Sequence, residues 1–297
     1  MPFSKEILLG SSGQSTGFYP ETIDQSLRFE DGDSAHLIRT PSSAGDRKTF
    51  TISFWTKRAN LSTPTPFLFD AYNASTENSF LRFNTDDTLR FSNEIGSSFT
   101  STIVTNQVFR DTTNWYHIVV AVDTTQSTAS NRVKMYVNGD QITSFSSSDY
   151  PSLNENTSFN NTVQHTISRA IEYSRYYDGY MAEVNFIDGT ALTPSSFGET
   201  KNGVWIPKAI SGLTYGTNGY RLTFADSSSL GDDTSGNGND FSTGGLASSY
   251  VVLDSPENNF ATLNFLAIHI PFFVSPKLDG VNAVPSIKLT SAIYPSK

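Results

Sequence analysis

The sequence contains no cysteine. That absence removes disulfides, thiolate zinc sites and cysteine nucleophiles together. It does not fix a compartment, since a protein assembled in a reducing cytoplasm and later exposed would look the same. Charge is scarce as well: Asp, Glu, Lys and Arg make up 16% of the 297 residues, against roughly 25% in an average globular chain. A coiled coil needs Ala, Glu, Lys and Leu at heptad spacing, and that composition is missing. The 20 basic residues never form a run and the net charge is −9, so nucleic acid is not an expected partner. No stretch approaches the ~20 apolar residues of a membrane span, and Pro271 interrupts the most apolar window, 265–274. The N-terminal MPFSKEILLGSSGQ has no long apolar core behind a basic start, so no secretory leader is expected. His36, His117, His165 and His269 stand far apart, and no two have metal-ligand spacing.

What is present is small, polar and aromatic. There are 41 Ser, 33 Thr and 22 Asn, together about a third of the chain, with 22 Phe and 13 Tyr. So many aromatics exclude a disordered tail. Strand-like runs follow one another closely. In TFTISFWTKRA (49–59), Phe50, Ile52 and Phe54 alternate with Thr51, Ser53 and Trp55, the period of a strand with two distinct faces. WYHIVVAVDT (115–124) is nearly continuous apolar sequence, which predicts a central strand covered on both sides. Asn138-Gly139 marks a tight hairpin, and Asp86-Asp87 reads as another turn. No segment before residue 190 has a convincing helical period, and ALTPSSFGE offers one short helical turn at most. Many short strands separated by turns predict an all-β antiparallel sandwich or jelly roll.

WYHIVVAVD, VKMYVNG and YYDGYMAEVNFIDGTALTPSSF occur in that order. This succession resembles the laminin-G-like group of concanavalin A-like lectin/glucanase jelly rolls. There a Trp-x-His strand is followed by a Tyr-Val-(Asp/Asn)-Gly hairpin. A Gly-x-Ile-Asp-Glu-Val strand then leads into a short Ala-Leu turn. Trp115, His117, Tyr136, Gly139, Gly179, Glu183, Val184, Ala191 and Leu192 match. The resemblance covers 26–197. It leaves an N-terminal arm (1–25), a connector with a strand and loop segment expected to complete the sandwich (198–264), and an apolar extended tail (265–297). A truncated second unit beginning near 219 is the other reading of that segment. The wording of FYPETIDQSLRF, FGETKNGVWIPK, SGNGNDF and LDSPENNFATLN also resembles virion structural and fibre proteins of marine tailed bacteriophages.

The resemblance raises three kinds of chemistry. Retaining glucanases set two carboxylates about 5–5.5 Å apart, carried in this fold by Glu-x-Asp-x-x-Glu on one strand. EVNFID keeps Glu183 but has Asn185 and Asp188 at the other two positions, so no enzyme is expected. His117 reads as a hydrogen-bonded core residue, and no Gly-x-Ser-x-Gly elbow supports a serine triad. Laminin-G-like domains often bind calcium through loop oxygens, which suit a hard cation. The candidates are Asp31 and Asp33 in one loop and Asp232, Asp233 and Asp240 in another. Against this, Ala182 replaces the group's Asp before Glu-Val, and Asp-Gly and Asn-Gly are ordinary turn formers. Lectins of the fold stack sugars on exposed aromatics. Tyr173, Tyr176 and Tyr177 are the expected exposed cluster, with Tyr72 as a further candidate.

The expectation is therefore a non-enzymatic virion surface protein, a capsid decoration or fibre component, binding glycans and requiring no cofactor, with calcium as an optional one. The arm and tail would anchor it to other virion proteins, and copies of itself, as a trimer, are expected partners. A glucanase-type enzyme and a calcium-dependent adhesion module are the alternatives.

Overall fold

The computed structural model describes residues 19, 21–61, 65–73, 77–96 and 98–259. The expected tail (265–297) and most of the expected arm lie outside them. In chain order the strands are β1 (Ser26–Phe29), β2 (His36–Arg39), β3 (Thr49–Arg58), β4 (Phe67–Asn73), β5 (Glu77–Phe83), β6 (Thr88–Ile95), β7 (Ser98–Val108), β8 (Tyr116–Asp123), β9 (Val133–Val137) and β10 (Asp140–Gln141). They continue as β11 (Phe145–Asp149), β12 (Gln164–Ile167), β13 (Arg169–Ala170), β14 (Arg175–Tyr176), β15 (Gly179–Asp188), β16 (Gly198–Lys201), β17 (Val204–Pro207), β18 (Tyr220–Leu222), β19 (Ser242–Gly244) and β20 (Val251–Val252). The helical turn in ALTPSSFGE is a single 3-10 turn, Pro194–Ser196.

Two eight-stranded antiparallel sheets form a sandwich. The first runs β10-β9-β8-β3-β15-β1-β20 with β18 also on β15, and the second runs β11-β7-β6-β5-β4-β12-β2-β19. Two small hairpins, β13–β14 and β16–β17, belong to neither ladder. Residues beyond the laminin-G-like stretch reach both sheets: β18 pairs with β15, β19 with β2 and β20 with β1.

The alternation in β3 sends Phe50, Ile52 and Phe54 into the core between the sheets, where they meet Phe69, Phe91, Ile118 and Met181. Burying a side chain of this size is worth about 1.5–3 kcal/mol, so this interior dominates the stability. β8 is buried on both faces. Ile118, Val120 and Val122 point inward, while Val119 and Ala121 pack outward under Phe197 and Tyr215. The β9–β10 turn holds Asn138 at φ 47° and Gly139 at φ 88°, as a type I′ hairpin requires. Gly139 is needed for space as well, because a Cβ there would lie 2.4 Å from the Trp205 ring.

The outer face of the first sheet is not open to solvent. Ile23, Trp205 and the segments around Phe197 and Tyr215 cover its centre. Residues 253–259 cover the side near β1 and β3. There Lys57 Nζ pairs with Asp254 Oδ2 at 2.8 Å and reaches Asn259 Oδ1 at 2.8 Å. The Trp115 indole donates to Asp254 Oδ1 at 3.1 Å, and the Ser26 hydroxyl donates to the Asp254 carbonyl at 2.6 Å.

Candidate functional site

The glucanase-like strand β15 presents its polar residues to that covered face. A bulge falls between Ala182 and Asn185, and Glu183 takes φ 47° within it. Its carboxylate grips Arg221 with two bonds, at 2.9 and 3.1 Å. Burial raises its pKa and Arg221 opposes that rise. Asn185 accepts a hydrogen bond from the Tyr215 hydroxyl at 2.7 Å. Asp188 accepts bonds from the Asp46 and Asn218 amides and the Asn160 side chain, tying loops together. The cavity beside Glu183, lined by His117, Trp55, Phe197 and Pro207, holds about 10 Å³, room for no more than one water.

His117 is a satisfied core residue. The Trp205 indole donates to Nδ1 at 3.0 Å. An indole can only donate, so Nδ1 accepts and the proton sits on Nε2, which donates to Ser53 Oγ at 3.0 Å. The ring is stacked on Trp55 and on Trp205, 4.7 and 5.9 Å between centroids. Burial pushes its pKa down to about 3, so it stays neutral in ordinary conditions.

The calcium candidates divide. Asp233 spends both oxygens on its own loop and on β18: the Arg221, Ser235 and Asn239 amides and the Ser235 hydroxyl donate to it, each at 2.9 Å. Asp240 Oδ1 accepts from the Asp233 amide at 2.9 Å, and Asp232 is exposed. Asp33 accepts a bond from the Tyr250 hydroxyl. Asp31 gathers instead with Glu30 and Asp178, their oxygens within 4.8 Å of one another. Burial, then Glu30 and Asp31, raise Asp178 to about 6. These three carboxylates are the ones a hard cation would use. Asp178 was not among the sequence candidates because it follows the tyrosine run and meets Asp31 only through the β1–β15 pairing.

The tyrosines divide too, and one expectation is corrected. Tyr177 is 0% exposed. Its hydroxyl lies 2.8 Å from Thr56 Oγ1 and donates to the Lys57 carbonyl at 2.9 Å. Burial raises its pKa. It is a core residue and cannot stack on a sugar. Tyr176 is half-buried against His36, 5.9 Å between centroids. Tyr173 is 55% exposed, at the turn of the β13–β14 hairpin. That hairpin lies against β4, with Ala170 on Phe67 and Phe80 and the Ile171 amide donating to Asp70 at 2.7 Å. Tyr72 is half-buried, and the fields of Glu172 and Glu94 reach both it and Tyr173.

Beside the hairpin, the outer face of the second sheet carries an array of rings and guanidinium groups. Phe80 and Arg82 of β5 and Arg90 of β6 point outward, while Leu81, Phe83, Leu89 and Phe91 fill the core. Phe99 on β7 is 55% exposed and meets Phe80 edge-on at 6.1 Å. Arg82 lies 4.9 Å from the Phe80 centroid, Arg90 lies 4.6 Å from that of Phe99, and Arg175 lies 5.3 Å from that of Tyr173. Neither these arginines nor Phe99 were sequence candidates. For Arg82 and Arg90 the signal was the alternation in SFLRFNTDDTLRFSNE (79–94), which shows both faces only once the hairpin register is known.

A family model described as the concanavalin A-like lectin/glucanases superfamily matches residues 31–196. Solved structures with a similar fold include a SAP-like pentraxin from Limulus polyphemus, 14% identical over 58% of this chain and 80% of that one, TM-score 0.41. Domains LG4-5 of the mouse laminin α1 chain are 9% identical over 66% of this chain and 46% of that one, TM-score 0.41. Domain 4 of the Geobacillus stearothermophilus arabinanase AbnA, in complex with arabinotriose, is 22% identical over 54% of this chain and 69% of that one, TM-score 0.38. No curated protein sequence matches. With more than half of its length matched by the family model and two antiparallel sheets packed as a sandwich, the chain belongs to the concanavalin A-like lectin/glucanases superfamily.

Proposed function

We propose that the protein is a non-catalytic, glycan-binding component of a virion surface, with its binding face on the second sheet. One observation carries the glycan reading. The face that would hold a glucanase cleft is filled by chain, while Phe99 on the other sheet and Tyr173 on the hairpin beside it stand exposed next to arginines. Flat exposed rings offer apolar surface to the C–H face of a sugar, and nearby side chains supply the polar contacts that orient it. The virion setting rests on the likeness of FYPETIDQSLRF and related segments to marine phage proteins. In this reading the arm and tail anchor the sandwich to neighbouring virion proteins and to copies of itself. Calcium is an accessory for which Glu30, Asp31 and Asp178 are the ligands.

The test is titration of the protein against a panel of neutral and charged oligosaccharides, with each mixture assayed for cleavage. At least one oligosaccharide should bind and none should be shortened. A Phe99→Ala/Tyr173→Ala variant should lose binding while keeping its melting temperature. Binding untouched by that variant, or cleavage abolished by Glu183→Gln, would overturn the reading. Antibodies against the sandwich should decorate intact particles, and unlabelled particles would refute the virion assignment.

A further inference from the structure

Arg82 and Arg90 stand directly opposite each other in the β5–β6 register. Side chains so placed have Cβ atoms about 4.5–5.5 Å apart, and like charges there repel. A sheet can relieve such a pair with a carboxylate, yet among the described residues neither arginine forms an ion pair. The two guanidinium groups share one ring instead, at 4.9 and 5.3 Å from the Phe80 centroid. Arg82 Nε is buried with no hydrogen-bond partner. Arg90 turns to neutral hydroxyls, donating from Nε to Ser92 Oγ at 2.7 Å. Arg175 comes from the β13–β14 hairpin, where it donates to Thr65. Its field is felt at Arg82, whose pKa is lowered to about 10 by burial first, then by Arg90 and Arg175. Glu94 stands opposite Phe99 in the β6–β7 register, and its field reaches Arg90 as well as Tyr72 and Tyr173, while Glu172 acts on the two tyrosines. Asp70 is buried beneath the hairpin. Three cations thus gather on a protein of net charge −9, with Glu94 acting on Arg90 across the face and no carboxylate in an ion pair with any of them among the described residues.

We infer that Arg82, Arg90 and Arg175 form a subsite for an anionic sugar, holding its carboxylate or sulfate oxygens while the ring lies on Phe99 and Tyr173. The inference rests on the glycan reading above and names the class of glycan. A planar guanidinium presents paired N–H donors that match the oxygens of either group. A bound anion adds counter-charge beyond that of Glu94 and an acceptor for the donors left over, Arg82 Nε among them.

Calorimetric titration of the full chain with dextran, dextran sulfate and oligo-alginate, at low and physiological salt, tests it. At least one anionic probe should bind more tightly than dextran and weaken with salt. Which probe binds distinguishes sulfate from carboxylate. Arg82→Gln and Arg90→Gln should each weaken binding about tenfold or more, the loss expected for a charge-assisted contact. Their melting temperatures should hold or rise, because a repulsive pair has been relieved. Arg175→Gln, outside the two sheets, reads binding even if a strand variant unfolds, and should show the same loss. Anionic probes bound equally by wild type and the Arg82→Gln/Arg90→Gln variant would overturn the inference, as would no anionic binding at all. If neutral glycans alone bind, and Phe99→Ala/Tyr173→Ala abolishes it, only the anionic inference fails. If no glycan of any kind binds, the glycan reading fails with it.

Discussion

Asp254→Ala should be among the most damaging single substitutions in the molecule. Lys57 has 0% of its side chain exposed and its ammonium is held by Asp254 at 2.8 Å. Removing that carboxylate takes the ion-pair partner from a buried cation that also reaches Asn259, and strips the Trp115 indole of its acceptor. Breaking a buried pair in this way costs about 3–5 kcal/mol. At about 2–4 °C per kcal/mol for a domain of some 150–250 residues, the melting temperature should fall by roughly 10 °C. Urea denaturation followed by tryptophan fluorescence reads the change, since Trp55 and Trp115 lie on the same face of the sandwich. The double variant Lys57→Met/Asp254→Leu is the control. Replacing both ions by apolar groups of similar size is often neutral or better, so most of the loss should return. A single-variant cost below about 1 kcal/mol, the range of exposed pairs, would mean that residues 253–259 are not seated on the first sheet. The claim that this face is closed would then fall.

Three further outcomes follow from the buried groups. Tyr177→Phe removes a hydroxyl that bridges Thr56 and the Lys57 carbonyl. It should cost about 1–3 kcal/mol of stability and leave glycan affinity unchanged, whereas lost binding at full stability would contradict its burial. Asp70 has its pKa raised to about 7 by burial, while in the unfolded chain it ionises near 4. Between those values the folded state keeps a proton that the unfolded state has released, so this group's contribution falls as pH rises and is lowest above 7. Asp70→Asn should therefore gain about 2–3 kcal/mol on wild type between pH 5 and pH 8. A difference independent of pH in paired urea melts would refute that sign. Glu183→Gln should weaken the two-bond contact to Arg221 and lower the melting temperature, with no change in polysaccharide cleavage because wild type should show none.

Much of the sandwich was legible because its strands obey simple alternation. Phe50, Ile52 and Phe54 declare one face of β3, and the unbroken run of β8 declares cover on both sides. Asn138-Gly139 fixes its hairpin through the positive φ that those residues tolerate. His117 was legible as a core residue from the apolar strand that carries it. The exposure of the tyrosines was not, because adjacent residues on an extended chain face opposite ways: Tyr176 looks outward to His36 while Tyr177 enters the core. Asp233 reads as a free loop carboxylate, yet its oxygens organise the loop's own amides. The arginine array is a product of register, since Arg82 and Arg90 are eight residues apart and meet only when the β5–β6 hairpin closes. The closing of the first sheet's outer face depends on Trp205 and Asp254 returning across it, and no local pattern announces such a return.

The most direct measurement of the central claim is a structure of the protein with a bound oligosaccharide. The account predicts a sugar ring lying on Phe99 and Tyr173, on the outer face of the second sheet. A sugar seated beside Glu183 and His117, with residues 197–210 displaced, would contradict it.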